Sequence, residues 1–233
     1  MISIIVPAFN EEAGIGNFIQ GLLRGVKLKE PYELVLVNDG STDRTMQVMG
    51  AFSKKNPRIR IVSYTPNKGL GHALRTGMRS SRGRIIVTMD SDAAHPPKDI
   101  HRLVAAVDKG FGTAIGSRYA KGGSIEGVPA TRVFLSRLTN LVMRLATLMN
   151  IKDMTNGFRA YRADILPDSH ARGFEVEIEL LIRLRKAGAR IVEVPVAAPA
   201  EREAGTSKFK IFRHGTTYAI GLARIFAYRW LGA

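Results

Sequence analysis

Asp90 and Asp92 stand one residue apart in the stretch VTMDSDAAHPP, where the apolar run RIIVTM ends. Two carboxylates about 4 Å apart repel by roughly 1 kcal/mol in water, and by more in a partly dry site. The pair therefore calls for a cation or a shared proton. A hard divalent ion such as Mg2+ or Mn2+ uses one or two protein carboxylates and completes its shell with water and substrate phosphates. The bland alternative is a pair that only caps the following helix.

Further polar groups follow other strand-like runs. Asp39 in LVNDGSTD can accept hydrogen bonds from a base or ribose, while Ser41 or Thr42 with Asp43 caps the next helix. VPAFNEE sets Pro7, Ala8 and Glu11 at the end of the first run. Glu175, Glu177 and Glu179 alternate in GFEVEIELL and offer a general base to a hydroxyl acceptor. His95 reads as a helix-entry residue beside Pro96 and Pro97, with no catalytic role.

These residues need a scaffold, and the chain supplies an alternating one. The β-rich runs ISIIVPA, YELVLVN, IRIVSY, RIIVTM and GTAIGS are separated by helical patterns over 11–26, 42–54, 69–80 and 97–109. Such alternation predicts an α/β fold with right-handed crossovers and a mostly parallel sheet covered on both faces. Ligands then bind beyond the carboxyl ends of the strands, where the polar stretches lie. No G-x-G-x-x-G follows the first run, so the dinucleotide fingerprint is missing. Gly69 and Gly71 in NKGLGHALRTG read as a helix start rather than a phosphate loop.

The chain has 233 residues, 45% of them hydrophobic, which suffices for a real core. Lys and Arg number 35 against 20 Asp and Glu, a net charge of +15 that attracts anions. The absence of cysteine excludes disulfides, thiolate metal sites and cysteine nucleophiles, and fits a reducing compartment. The opening MISIIVPAFN lacks the features of a secretory leader, so a cytoplasmic location is expected.

Two later segments are amphipathic. Phe134, Leu138, Leu141, Leu145 and Leu148 recur at spacings of four and three, opposite a stripe of Arg137, Asn140, Arg144 and Thr147. This helix either packs its apolar side on the core or lays it on lipid. The stretch 209–233 mixes Lys and Arg with Phe209, Phe212, Tyr218, Phe226, Tyr228 and Trp230. That composition suits an interfacial helix more than a spanning one, because Arg224 and Arg229 interrupt it. Core packing or an oligomer contact is the alternative.

Seven stretches, IIVPAFNEE, LVNDGSTD, NKGLGHALRTG, MDSDAAHPP, GSRYAKGG, MTNGFRAYR and EREAGTSKF, occur in an order that resembles the inverting family-two glycosyltransferases. The likeness is strongest to polyprenyl-phosphate sugar transferases of the dolichol-phosphate mannosyltransferase type. It implies an A-type glycosyltransferase fold over residues 1–208, followed by C-terminal amphipathic helices over 209–233. It also implies a nucleotide-sugar donor, a Mg2+ or Mn2+ cofactor and a polyprenyl-phosphate acceptor met at the cytoplasmic face of a membrane, with no role for nucleic acid. On this resemblance Pro7, Ala8, Glu11 and Asp39 form the nucleotide pocket. Asp90, Asp92 and the Ser91 backbone surround the metal and diphosphate. Arg118, Arg132, Arg202 and Lys208 hold phosphates. Two positions depart from the pattern: Ala94 replaces a Gln that often ligates the metal, and Asn156 stands where Ser is common.

A lipid phosphate is already ionised near neutral pH and attacks without a dedicated base, so the protein's work is positional and electrostatic. The resemblance points to mannose from GDP-mannose. The competing expectations are a UDP-sugar donor or a hydroxyl acceptor on the same fold, and, from another class, a basic binding protein without turnover.

Overall fold

The computed structural model describes residues 1–92 and 95–198. Ala94, Arg202, Lys208 and the amphipathic stretch 209–233 lie outside the described residues, as does the boundary at 208. The first half alternates as expected: β1 (Ile2–Ala8), α1 (Ile15–Gly25), β2 (Tyr32–Asp39), α2 (Thr45–Lys55), β3 (Ile59–Tyr64), α3 (Leu70–Ser80) and β4 (Ile85–Thr88). A 3-10 turn at Pro97–Asp99 leads into α4 (Ile100–Asp108), then β5 (Thr113–Ser117), the short β6 (Ser124–Ile125) and α5 (Ala130–Thr147). The described chain closes with β7 (Arg159–Arg162), α6 (Glu175–Lys186), β8 (Ile191–Pro195) and β9 (Ala197–Ala198).

Seven strands form one sheet in the order β3-β2-β1-β4-β7-β5-β8, and β6 pairs with β9 in a separate ribbon. Every pairing in the large sheet is parallel except those of β7, which runs antiparallel to both β4 and β5. Side chains alternate across a strand, so each central strand feeds two cores. Ile4, Val6, Leu34, Leu36, Ile85 and Val87 pack with α1, α2 and α4 on one face. Ile5, Val35, Val37 and Ile86 pack with Ala73 and Leu74 of α3 and Val176, Leu180 and Leu184 of α6 on the other. The sheet is thus covered on both sides, which explains why its strands read as continuous apolar runs.

α5 reverses the core-packing expectation. Asn140, Met143 and Thr147 are its buried residues, whereas Phe134, Leu138, Leu141, Leu145 and Leu148 are all exposed, Leu145 at 67%. The polar side is satisfied inward. Asn140 Oδ1 accepts from the Met154 and Thr155 amides at 2.7 and 3.3 Å, and the Thr147 hydroxyl donates to the Met143 carbonyl at 2.7 Å. Among the described residues no helix is long and apolar enough to cross a membrane.

The entry to α3 is built by close approach. Gly69, at φ 89°, caps the helix, and the Gly71 amide donates to the Arg172 carbonyl at 2.9 Å. A Cβ on Gly71 would sit only 2.3 Å from the Ala171 carbonyl oxygen. Both glycines thus serve the helix start, as the sequence implied. Gly71→Ala should cost ~1–3 kcal/mol, read as a lowered urea midpoint, because backbone cannot yield as a side chain does.

Candidate active site

The candidate residues gather on one rim of the sheet for a topological reason. β1, β2, β4 and β5 all end there, and antiparallel β7 begins there. The pairs Ile5↔Thr88 and Thr88↔Arg159 bring the ends of β1 and β4 and the start of β7 side by side. Pro7, Ala8, Asp39, Asp90, Ser91, Asp92 and Arg118 therefore share this rim with residues that precede β7.

Asp90 is exposed and Asp92 partly exposed at the mouth of buried β4, while Ser91 between them is buried. Two hard oxygen donors at an open rim fit Mg2+ or Mn2+, whose remaining ligands are ordinarily water and phosphate oxygens. Among the described residues no third His, Cys, Asp or Glu joins them in a metal-binding group.

Asp39 is 4% exposed, and its carboxylate already has partners. It accepts from the Lys68 amide at 2.8 Å, the Gly69 amide at 3.0 Å and Asn67 Nδ2 at 2.9 Å. The negative charge sits at the start of α3, where unpaired amides and the helix dipole favour it. Burial and the Asp39 charge push the nearby Tyr64 phenol up. Asp39 thus shapes the rim by tying β2 to the loop 67–69. Of the residues expected to cap α2, only Asp43 reaches the helix: its Oδ1 accepts from the Thr45 amide and hydroxyl at 2.9 and 2.5 Å, while Arg44 is the N-cap and Ser41 and Thr42 bond Asn10 instead. Thr45 Oγ1 in turn lies 2.8 Å from the Glu11 amide, joining the ends of β1 and β2. Pro7 and Glu11 are half-buried and Ala8 is buried.

Arg118 is held as a fork. Its Nε and Nη2 donate to the two oxygens of Asp153 at 2.8 and 2.7 Å, and its backbone N–H donates to the same carboxylate at 2.9 Å. Burial works against the charged guanidinium, but the bonds to Asp153 outweigh it and hold Arg118 above its ordinary range. Arg118 thus stands at the rim as an oriented cation with part of its charge balanced. Arg132 is exposed in the first turn of α5. The arginine that α5 brings to Tyr119, the neighbour of Arg118, is Arg137: the guanidiniums of Arg118 and Arg137 lie 5.4 and 5.5 Å from the centre of the Tyr119 ring.

Beneath Asp90 lies a cluster of which the sequence offered Glu177, as a general base, but not its buried partner Arg159. Arg159 is fully buried and donates from Nε to the Asn156 carbonyl at 2.7 Å and from Nη1 to the Glu177 carbonyl at 2.5 Å. Its Nη2 lies 3.7 Å from the Glu177 carboxyl. Thr88 holds the loop from β4 through a 2.8 Å bond to the Gly157 carbonyl. Gly157 is the spacer: a Cβ there would lie 2.5 Å from Glu177 Oε1 and 3.4 and 3.5 Å from the Asp90 oxygens. The two carboxyls approach each other across a residue that has no side chain. Burial, opposed by Arg159 and reinforced by the charges of Asp90 and Asp153, pushes Glu177 up to about 8. It is therefore protonated at neutral pH.

The other two glutamates of that run hold local backbone. Glu179 accepts from the Ser169 hydroxyl and the His170 and Ala171 amides and pairs with Arg183. Glu175 accepts from the Arg172 amide at 3.4 Å. His95 stacks on Phe158 with centroids 4.9 Å apart. Burial and the Arg118 charge lower it to about 4, so it stays neutral and serves as packing under the rim. Asn156, one of the two departures from the family pattern, is also structural: it donates to the Gly116 carbonyl at 2.5 Å and accepts from the Phe158 amide at 3.1 Å. The stretch MTNGFRAYR and the alternating glutamates each named a part of this cluster, and only the fold brings them together.

With this geometry in view, comparison with known proteins places the chain in glycosyl transferase family 2, whose model matches residues 3–169. It is 35% identical over 216 residues to the dolichol-phosphate mannosyltransferase of Pyrococcus furiosus, covering 90% of this chain but 59% of that protein. It is 32% identical over 214 residues to the polyprenol monophosphomannose synthase of Mycolicibacterium smegmatis, covering 88% of this chain and 79% of that one. The chain therefore spans less than two thirds of the Pyrococcus relative. The fold is the A-type glycosyltransferase fold. It matches glucosyl-3-phosphoglycerate synthase of Mycobacterium tuberculosis, crystallised with Mn2+, UDP-glucose and phosphoglyceric acid, with a TM-score of 0.73 at 23% identity over 98% of this chain and 79% of that one.

Glu177 carries a pH signature. With its pKa raised from 4.5 to about 8, the folded state keeps a proton that the unfolded chain releases, so stability falls as pH rises through that window. Glu177→Gln mimics the protonated carboxyl. Urea unfolding should show the variant close to the parent near pH 5 and increasingly more stable than it toward pH 8.

Proposed function

We propose that this protein transfers a sugar, mannose from GDP-mannose, to a polyprenyl phosphate with inversion, at the cytoplasmic face of a membrane. The observation that carries the acceptor reading is the oriented cation at the rim: Arg118, held by both oxygens of Asp153 and close enough to Asp90 to feel its charge, offers a fixed positive group to an anionic acceptor. An already ionised phosphate needs no dedicated base. The names of the Pyrococcus and Mycolicibacterium relatives support a polyprenyl phosphate and mannose.

In this reading Asp90 and Asp92 hold Mg2+ or Mn2+, which when bound offsets the charge on the departing nucleotide diphosphate. The chain's own residues do the rest. Pro7, Ala8, Glu11 and the loop anchored by Asp39 receive the nucleotide, and the Ser91 backbone lies against the diphosphate. Arg118, fixed by Asp153, and Arg132 on α5 draw the acceptor phosphate toward the donor, since two anions must be brought together. Arg202 and Lys208 are assigned to the reacting phosphates on the resemblance. Binding at the membrane surface is part of the proposal, because the acceptor resides there.

The test is transfer of label from a panel of nucleotide sugars to short polyprenyl phosphates with Mn2+ or Mg2+. Label should enter the lipid phase from GDP-mannose and vanish with chelator. Asp92→Ala should lower turnover by ~100-fold or more, equivalent to ~2.7 kcal/mol. Donor use that yields only water-soluble product would defeat the acceptor assignment. Arg132→Ala should raise KM for the lipid phosphate by roughly tenfold, about 1.4 kcal/mol, and leave KM for the donor unchanged. Unaltered acceptor kinetics in that variant would remove Arg132 from the site.

A further inference from the structure

We propose that the outward face of α5 is a membrane-docking surface that seats on an anionic phospholipid bilayer. The inference deepens the membrane part of the proposed function and rests on it, but not on the identity of the sugar.

Three observations carry it. First, the apolar stripe of α5 is turned away from the protein. Phe134 and Leu145 are 65% and 67% exposed, and Leu138, Leu141 and Leu148 lie with them on the side opposite buried Asn140, Met143 and Thr147. Leu135 and Val142 widen the patch. A contiguous apolar face of this kind marks an interaction site, since monomer surfaces rarely expose one.

Second, the charged residues along this stretch have one sign. Residues 127–152 contain no Asp or Glu but include Arg132, Arg137, Arg144 and Lys152. Arg137 and Arg144 fall on one shoulder of the stripe by helical periodicity, where their stems lie along apolar surface and their heads reach outward. An apolar centre with arginines along one shoulder complements a bilayer with anionic headgroups. The protein as a whole carries +15, so a second copy would bring like charge to that shoulder.

Third, the surface adjoins the site. Arg137 of α5 and Arg118 of the rim both lie against the Tyr119 ring. Docking α5 on lipid would therefore set Arg118 near headgroup level, where a lipid-anchored phosphate meets it while its chain stays in the bilayer.

The absence of cysteine allows a direct test on the full chain. An environment-sensitive NBD fluorophore is attached to Leu145→Cys and, as a control, to Lys55→Cys at the exposed end of α2. Vesicles mixing phosphatidylglycerol with phosphatidylcholine should blue-shift the probe at 145 and raise its emission severalfold, and nitroxide-labelled lipid should quench it. The probe at 55 should not respond, and pure phosphatidylcholine should give a much weaker signal at 145. An aqueous spectrum at 145 while the protein floats with the vesicles would overturn the inference and assign binding to another part of the chain. An apolar spectrum without vesicles would also overturn it. If that spectrum is independent of protein concentration, the chain's own residues cover α5; if it tracks a dimer mass in light scattering, a second copy does. No vesicle binding at all would overturn it as well. Leu138→Glu should lose vesicle flotation without a change in melting temperature, since it replaces a solvent-facing side chain. The probe needs no turnover, so a wrong donor or acceptor leaves this result readable.

Discussion

The rim depends on balancing like charges in a confined space. Asp90, Asp153 and Glu177 converge where β4, β5 and β7 meet, and three ionised carboxyls there would repel one another. Two guanidiniums and one proton resolve this. Arg118 takes Asp153 in a two-pronged pair with an additional backbone bond. Arg159, wholly buried, binds the loop before β7 and the start of α6, and Glu177 keeps its proton. Asp90 and Asp92 stand on the open side of this arrangement, where a divalent cation can reach them.

That balance also explains the clustering of backbone ties around the site. Buried polar groups must be paired, and an arginine has five donors to place. Arg159 directs them to the carbonyls of Met154, Asn156 and Glu177, which ties the loop 154–157 to α6 beneath Asp90. Asp39 does the same on the other flank by collecting the amides at the head of α3. Groups that look like ligand contacts in a sequence therefore include some whose first task is to hold the rim in shape.

The inverted helix gives the fold a direction. One side of the protein presents an apolar face with arginines along one shoulder, and that side touches the rim through Arg137 and Tyr119. For a water-soluble donor and a lipid-anchored acceptor, such an arrangement lets one site face two phases. The inward side of α5 is held by Met143, which packs with Ile115, Met154 and Leu181, and by Asn140, which is satisfied by Met154 and Thr155.

The amino-acid sequence by itself determined the alternating first half, the boundaries of β1–β5 to within a few residues, the D-x-D pair at the end of β4, and membership in the family. These are local patterns, set by period, turn residues and short spacing. Only the tertiary structure decided the rest. The antiparallel course of β7 puts residues 153–157, which precede a strand, on a rim where the sequence directs attention to residues that follow strands. Glu177, Gly157 and Asp90 meet across more than eighty positions, and no spacing rule joins them. The direction of α5 was equally hidden: periodicity shows that a helix has two faces, but which one is buried depends on what the neighbouring chain offers. Here the loop before β7 offered amides to Asn140 and the neighbouring apolar cluster took Met143, so that side turned in and the leucines turned out.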